Sequence, residues 1–180
     1  AELARIDGMK DKRGMGAVIG RLLSIGVGTP VSGDVHQDNK DSTRYLLDLS
    51  QSGLGMPNRD YYLSTGNARL MDTKAKYQGH VEKMLALAGV TGARDEAAAI
   101  VALETAIATA HWTAVQNRDP VKSYNKTTLT DLKALSPGLD WDAFLQGLGA
   151  ASRIDSVNVS QPSYFKDLSK LIDDTPLATW

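Results

Sequence analysis

The stretch "DSTRYLLDLSQSGLGMPNRDYYL", residues 41–63, decides how the chain is read. Tyr45, Leu47 and Leu49 fall on one face at every second position, the period-two pattern of a strand. Val31 to Gln37 reads as a second strand. "DNKD" at 38–41 lies between the two and carries turn chemistry, so a hairpin is expected. "GLGMPN" at 53–58 starts like a dinucleotide loop, but Pro57 and Asn58 follow where the fingerprint needs its third glycine. It reads instead as a loop whose glycines permit positive φ. Arg59, Asp60, Tyr61 and Tyr62 close the stretch as a charged and aromatic cluster.

Outward from this segment, helical periodicity dominates. Met15, Val18, Ile19, Leu22, Leu23 and Ile25 form an apolar stripe weakened by Gly14, Gly16 and Gly20, each costing about 1 kcal/mol against Ala. Leu70, Tyr77, Val81, Met84, Leu85 and Ala88 define a helix that Gly89 ends. Ile100, Leu103 and Ile107 mark one face of an Ala-rich helix from Arg94 to about Val115. The short link between these two helices predicts an antiparallel hairpin. Thr128 with Asp131 resembles a capping box ahead of Leu129, Leu132 and Leu135. Asp140 caps a short helix carrying Trp141, Phe144, Leu145 and Leu148. Pro162 opens one that buries Tyr164, Phe165, Leu168, Leu171 and Ile172. Ile154 to Val159 is a third strand candidate. The expected fold is mainly α, a single helical lobe over residues 1–180 with a small antiparallel sheet.

The totals exclude several classes of function. Twenty basic against twenty-one acidic residues leave a net charge of −1. That gives no basic stripe for nucleic acid. Without cysteine, thiol catalysis, disulfides and cysteine-held metals are absent. No apolar run reaches the roughly 18–20 residues of a membrane span.

Candidate chemistry is sparse. His36, His80 and His111 lack the i, i+4 spacing of a helical zinc pair, and there is no His-Glu-x-x-His. His80 and His111 could meet across the helical hairpin, although packing or surface positions are the reading favoured for both. No serine sits in Gly-x-Ser-x-Gly. The sequons at Asn125 and Asn158 are short matches that arise by chance. Two segments remain: "NRDYYL" with Arg59, Asp60, Tyr61 and Tyr62, and "NRDPVKSYNK" with Arg118, Asp119, Tyr124 and Asn125. One reading is a peptide-contacting surface, with Arg for carboxylates and Tyr for stacking. The other is architectural: Asn and Asp tie loop backbone, Arg pairs with a buried Asp, and tyrosines fill core.

The motifs carry a family resemblance. Gln51, Leu54, Gly55, Arg59, Asp60, Tyr61 and Tyr62 resemble a signature segment of the neprilysin-type zinc metallopeptidases, which include endothelin-converting enzymes and bacterial PepO-type oligopeptidases. Asp119, Pro120, Tyr124, Asn125, Lys126 and Leu129 resemble a second segment of that family. "VNVSQPSYFKDLSKLI" resembles a third, and "KDKRGMGAVIGRLLSIGV" and "TPLATW" are similar to it near the two ends. The resemblance implies a two-lobed zinc endopeptidase acting on oligopeptides. Its catalytic lobe would hold His-Glu-x-x-His and a downstream Glu, and a helical lobe would cover the chamber. This segment is similar to the helical lobe, so no catalytic or metal-binding residue is carried to it.

That reading sets the remaining expectations. Zinc belongs to the parent enzyme and not to this piece, and the missing catalytic lobe is its partner. The lack of cysteine suggests a bacterial parent, periplasmic or secreted. Because the chain opens on Ala1 and stops just after the helix start at Thr175–Pro176, it is expected to be an internal fragment. Its cut ends, at Leu3 and Ile6 and at Leu177 and Trp180, are expected to favour self-association. The alternative is a stand-alone helical binding module that lost the peptidase half.

Overall fold

The computed structural model describes residues 2–151 and 153–180; Ala1, on which the chain opens, lies outside them. Helix takes 54% of the chain and strand 15%, so the protein is mainly α with a minor β part. The chain divides into two compact units, residues 1–53 with 112–174, and residues 54–111 with 175–180.

The first unit is built on a four-stranded sheet. Its strands are β1 (Val31–Asp38), β2 (Asp41–Gln51), β3 (Lys126–Thr128) and β4 (Ser156–Val159), in the order β1-β2-β4-β3. β1 and β2 form the expected hairpin. β4 runs parallel to β2, so the sheet is mixed where an antiparallel one was expected. The difference has a topological cause, because β4 follows a long excursion and can enter in either direction. Strand alternation separates the faces. Val31, Leu47, Leu49, Val157 and Val159 are buried on one side. Tyr45 shares that side but lies near the hairpin tip, beyond the core, and is exposed.

Helices supply the rest of this core. α2 (Met15–Ser24) packs on α8 (Trp141–Leu148). A Cβ on Gly16 would overlap the Asp140 carbonyl, one on Gly20 the Phe144 carbonyl, and one on Gly147 the Ala17 carbonyl. The glycines expected to weaken α2 are thus what allows two backbones to touch. α7 (Leu129–Leu135) starts at Thr128, whose hydroxyl accepts from the Asp131 N–H and donates to the Asp131 carboxylate. Asp140 caps α8 through the Ala143 N–H. In α9 (Pro162–Asp174) Tyr164, Phe165, Leu168 and Ile172 are buried, and Trp141 meets Phe144 and Phe165 edge-on or tilted. Short α1 (Glu2–Asp7) and α6 (Ala114–Asn117) complete the unit.

The second unit is a helical hairpin with a cap. α3 (Asp60–Leu63) packs on α4 (Ala68–Leu87) and α5 (Ala93–Ala110). α5 ends five residues earlier than expected, because His111 takes an extended backbone and Thr113 with Gln116 makes a separate capping box. α4 has no fully buried residue, and Met84, expected on its inner face, is 52% exposed. Leu177 and Trp180 are half-buried, and the 3-10 turn Leu177–Thr179 contacts α5.

Candidate functional site

The polar groups of the first unit converge on the sheet face opposite its apolar core. Register puts Asp34, His36, Asp48, Asn158 and Lys126 on that face. The loop "RDPVKSYNK" lies over it, held by a side-chain network. The buried Asn158 amide donates to Asp48 Oδ1 at 3.0 Å and to the Ser123 carbonyl at 3.0 Å, and its Oδ1 accepts from the Asn125 N–H. The Ser160 hydroxyl also donates to Asp48 Oδ1. Asn125 returns two bonds through its own amide, to the Lys122 and Val159 carbonyls. Both sequon asparagines are therefore committed to the fold.

A second hub sits at the hairpin turn. Asp38 Oδ1 accepts from the Tyr124 hydroxyl at 2.7 Å and from the Lys40 N–H at 2.9 Å, and Lys126 Nζ donates to Oδ2 at 2.8 Å. The Lys126 hydrogen bond, followed by the other two, holds this carboxyl well below the usual carboxylate range. The Asp38 carboxylate in turn raises the Tyr124 phenol pKa. Lys40 lies 4.4 Å over the Tyr124 ring centroid.

In the second unit the centre is Glu104 on α5. Its Oε1 accepts from the Tyr77 hydroxyl at 2.9 Å and the Gly55 N–H at 3.2 Å, and its Oε2 from the Tyr62 hydroxyl at 3.0 Å. Tyr62 Oη also accepts from the Met56 N–H at 2.9 Å. Burial, with Glu104 beside it, pushes the Tyr62 phenol up to about 12 and raises that of Tyr77 as well. A side chain at Gly55 would overlap the Tyr77 hydroxyl, so this glycine is set by close approach.

The sequence-predicted residues therefore divide between the units. Tyr62 is buried in a cluster with Met56 and Ala108, and Tyr61 packs against it. Asp60 is exposed and, among the described residues, no ion pair joins Arg59 or Asp60 to an opposite charge. The expected pairing of an Arg with a buried Asp in "NRDYY" is thus corrected: Asp60 occupies the first turn of α3, where its charge faces water and the helix N-terminus. Arg59, Asp60, Leu63, Ser64 and Leu70 line a shallow surface hollow. In the other segment Arg118 is exposed. Asp119 folds the loop by accepting from the Val121 and Lys122 N–H groups, which lower its carboxyl pKa, the Lys122 bond most. Tyr124 and Asn125 face the sheet. Asp38, Asp48 and Glu104 were missed, because scattered carboxylates carry no local pattern.

No group of three or more His, Asp or Glu side chains is arranged to hold a metal among the described residues. His80 is exposed on α4 and His111 sits at the end of α5. This donor set does not fit zinc, which takes three or four converging ligands. No described helix is long and apolar enough to cross a membrane.

Known proteins share this architecture. Residues 1–180 match the profile of Peptidase family M13. Guinea pig (Cavia porcellus) endothelin-converting enzyme 1 is 31% identical over 145 residues, covering 78% of this chain and 19% of that protein. The zinc metalloprotease 1 of Mycobacterium tuberculosis, solved with an inhibitor, superposes with a TM-score of 0.92 at 36% identity, over 99% of this chain and 27% of that one. Its open state gives a TM-score of 0.91 at 37% identity, over 99% of this chain and 28% of that one. PepO from Lactobacillus rhamnosis shares the fold at 16% identity, with a TM-score of 0.71 over 99% of this chain and 28% of that one. The chain thus spans about a fifth of the curated relatives and about a quarter of the solved chains. With the profile match over residues 1–180 and the structural likeness in agreement, this chain belongs to peptidase family M13 and corresponds to its N-terminal region.

Proposed function

We propose that the chain is part of a chamber-covering helical lobe in a larger zinc endopeptidase, and that it restricts access to oligopeptides. The observation that carries this reading is the match of the whole chain to zinc metalloprotease 1 at 36% identity and a TM-score of 0.92, although it covers only 27% of that protein. On this reading residues 1–180 belong to one lobe, and the partner is the catalytic lobe of the same parent chain. Zinc is held there, where it polarises the scissile carbonyl and activates water. The residues described above supply shape, and none contributes a step of the reaction. Arg59, Asp60, Tyr61, Tyr62, Arg118, Asp119, Tyr124 and Asn125 hold the lobe or border its chamber. The parent is periplasmic or secreted.

The test compares the 180-residue chain with the intact parent protein. The parent should cleave quenched-fluorescence oligopeptides in a chelator-sensitive manner and leave a folded protein substrate intact; the chain should cleave neither. Chelator-sensitive cleavage by the chain itself, or a parent reading frame without His-Glu-x-x-His, overturns the proposal.

A further inference from the structure

His36 stands on β1 with both ring nitrogens engaged. Nδ1 lies 2.6 Å from the Gln37 carbonyl oxygen, and Nε2 lies 2.9 Å from Asp48 Oδ2. A carbonyl and a carboxylate only accept. Neutral imidazole has one donor and one acceptor, so it can satisfy one of these contacts and must set a lone pair against oxygen at the other. Only the imidazolium donates to both. We propose that His36 is an acid-favoured clasp: it is held as the imidazolium, and it ties β1 to the Asp48–Asn158–Ser160 seam that joins β2 to β4.

The position suits that role. Asp48 is the carboxylate shared by the whole seam, with Oδ1 taken by Asn158 and Ser160 and Oδ2 left for His36. The charges acting on the ring are Asp48 across the ladder and Asp34 on β1 itself, both negative; β4 presents neutral Asn158 to Asp48. The Asp48 hydrogen bond, followed by that of Gln37, raises the His36 pKa. The sign follows: a folded-state value above the unfolded 6.5 gives stability that is complete below 6.5 and is lost as pH rises through the folded value. The chain should therefore tighten in mildly acidic surroundings. This inference does not depend on the peptidase reading.

Three histidines make the experiment direct. In the chain labelled with 15N-histidine, the ring nitrogens of His36 are followed by NMR across pH. His36 is expected to titrate above 6.5 and to be mainly the imidazolium, with both nitrogens protonated, at pH 6.5. Asp48→Asn should return the titration to that value or below, because its amide would donate to the neutral ring. The difference in Tm between wild type and His36→Gln should shrink by about 1–3 °C from mildly acidic to alkaline pH, solvent at the half-exposed ring screening the pair. A wild-type His36 that titrates at or below 6.5, or carries an unprotonated nitrogen at that pH, overturns the clasp. That measurement decides the matter even where a variant fails to fold.

Discussion

Asp38 and Lys126, 88 residues apart, meet at 2.8 Å, the carboxylate 2% exposed and the lysine side chain still 34% exposed. The pair fastens the hairpin turn to the strand that enters from the covering loop. Lys126→Met should lower the urea midpoint at neutral pH. Because the Asp38 carboxyl is held below its ordinary value, its contribution is present above about pH 4 and fades as pH falls through the folded value. The gap between wild type and variant should therefore narrow toward about pH 2. Urea melts at both pH values check this, and an equal gap at both would show that the ion pair is not its source.

Gly20 presents two opposed effects. Alanine gains about 1 kcal/mol of helix propensity. It also drives a Cβ into the Phe144 carbonyl oxygen and to within 2.9 Å of the Leu148 nitrogen, and backbone cannot rotate away. Overpacking of this kind costs about 1–3 kcal/mol or more, so Gly20→Ala should destabilise. At Gly14 the nearest atom is Met9 Cγ at 3.5 Å, and Gly14→Ala should be neutral or better. Thermal melts of the two variants should move in opposite directions.

Glu104 accepts from three donors; Glu104→Ala strands the part-buried Tyr62 and Tyr77 hydroxyls, while the exposed Gly55 N–H can turn to water. Each donor left unpaired away from water costs about 1–3 kcal/mol. Glu104→Gln keeps one acceptor oxygen and should recover a clear part of the loss. Equal midpoints for the two variants in chemical denaturation would contradict this. The Tyr62 phenol adds an alkaline signature. Its pKa is raised to about 12, so the stability it lends is complete below 10 and is lost as pH rises through 12. Absorbance at the phenolate band should show this group ionising late.

Within "NRDYY" the charged and aromatic positions should part company. Asp60→Ala removes an exposed carboxylate that pairs with no opposite charge among the described residues and should change stability by no more than about 0.5 kcal/mol. Tyr62→Ala opens a cavity in the cluster with Met56 and Ala108, at a cost of roughly 3–5 kcal/mol. Urea midpoints for both variants provide the check.

Local pattern carried most of the element list. The hairpin around residues 38–41, the caps at Thr128 and Asp140, and the start at Pro162 are each set by neighbours within four residues, a range that sequence displays directly. β3 left no trace, because three residues at a sheet edge have too few side chains to show a period. The family could be read from motif spacing, since Gln51, Arg59, Tyr62, Tyr124 and Asn125 keep their order whatever they touch.

What those residues touch was decided only in three dimensions. Gly16 and Gly20 read as weak points along one helix and become a contact once α8 lies against them. Asp38 read as turn chemistry, and Asp48 and Glu104 carried no local pattern; they become hubs because strand register and helix pairing bring donors to them from 12 to 112 residues away. The parallel entry of β4 is of the same kind. Sequence by itself determined most of the segments that become helix or strand, through propensity, capping and turn chemistry over a few residues. Tertiary structure decided which polar side chains leave water, because burial and hydrogen bonding depend on partners that only the folded chain supplies.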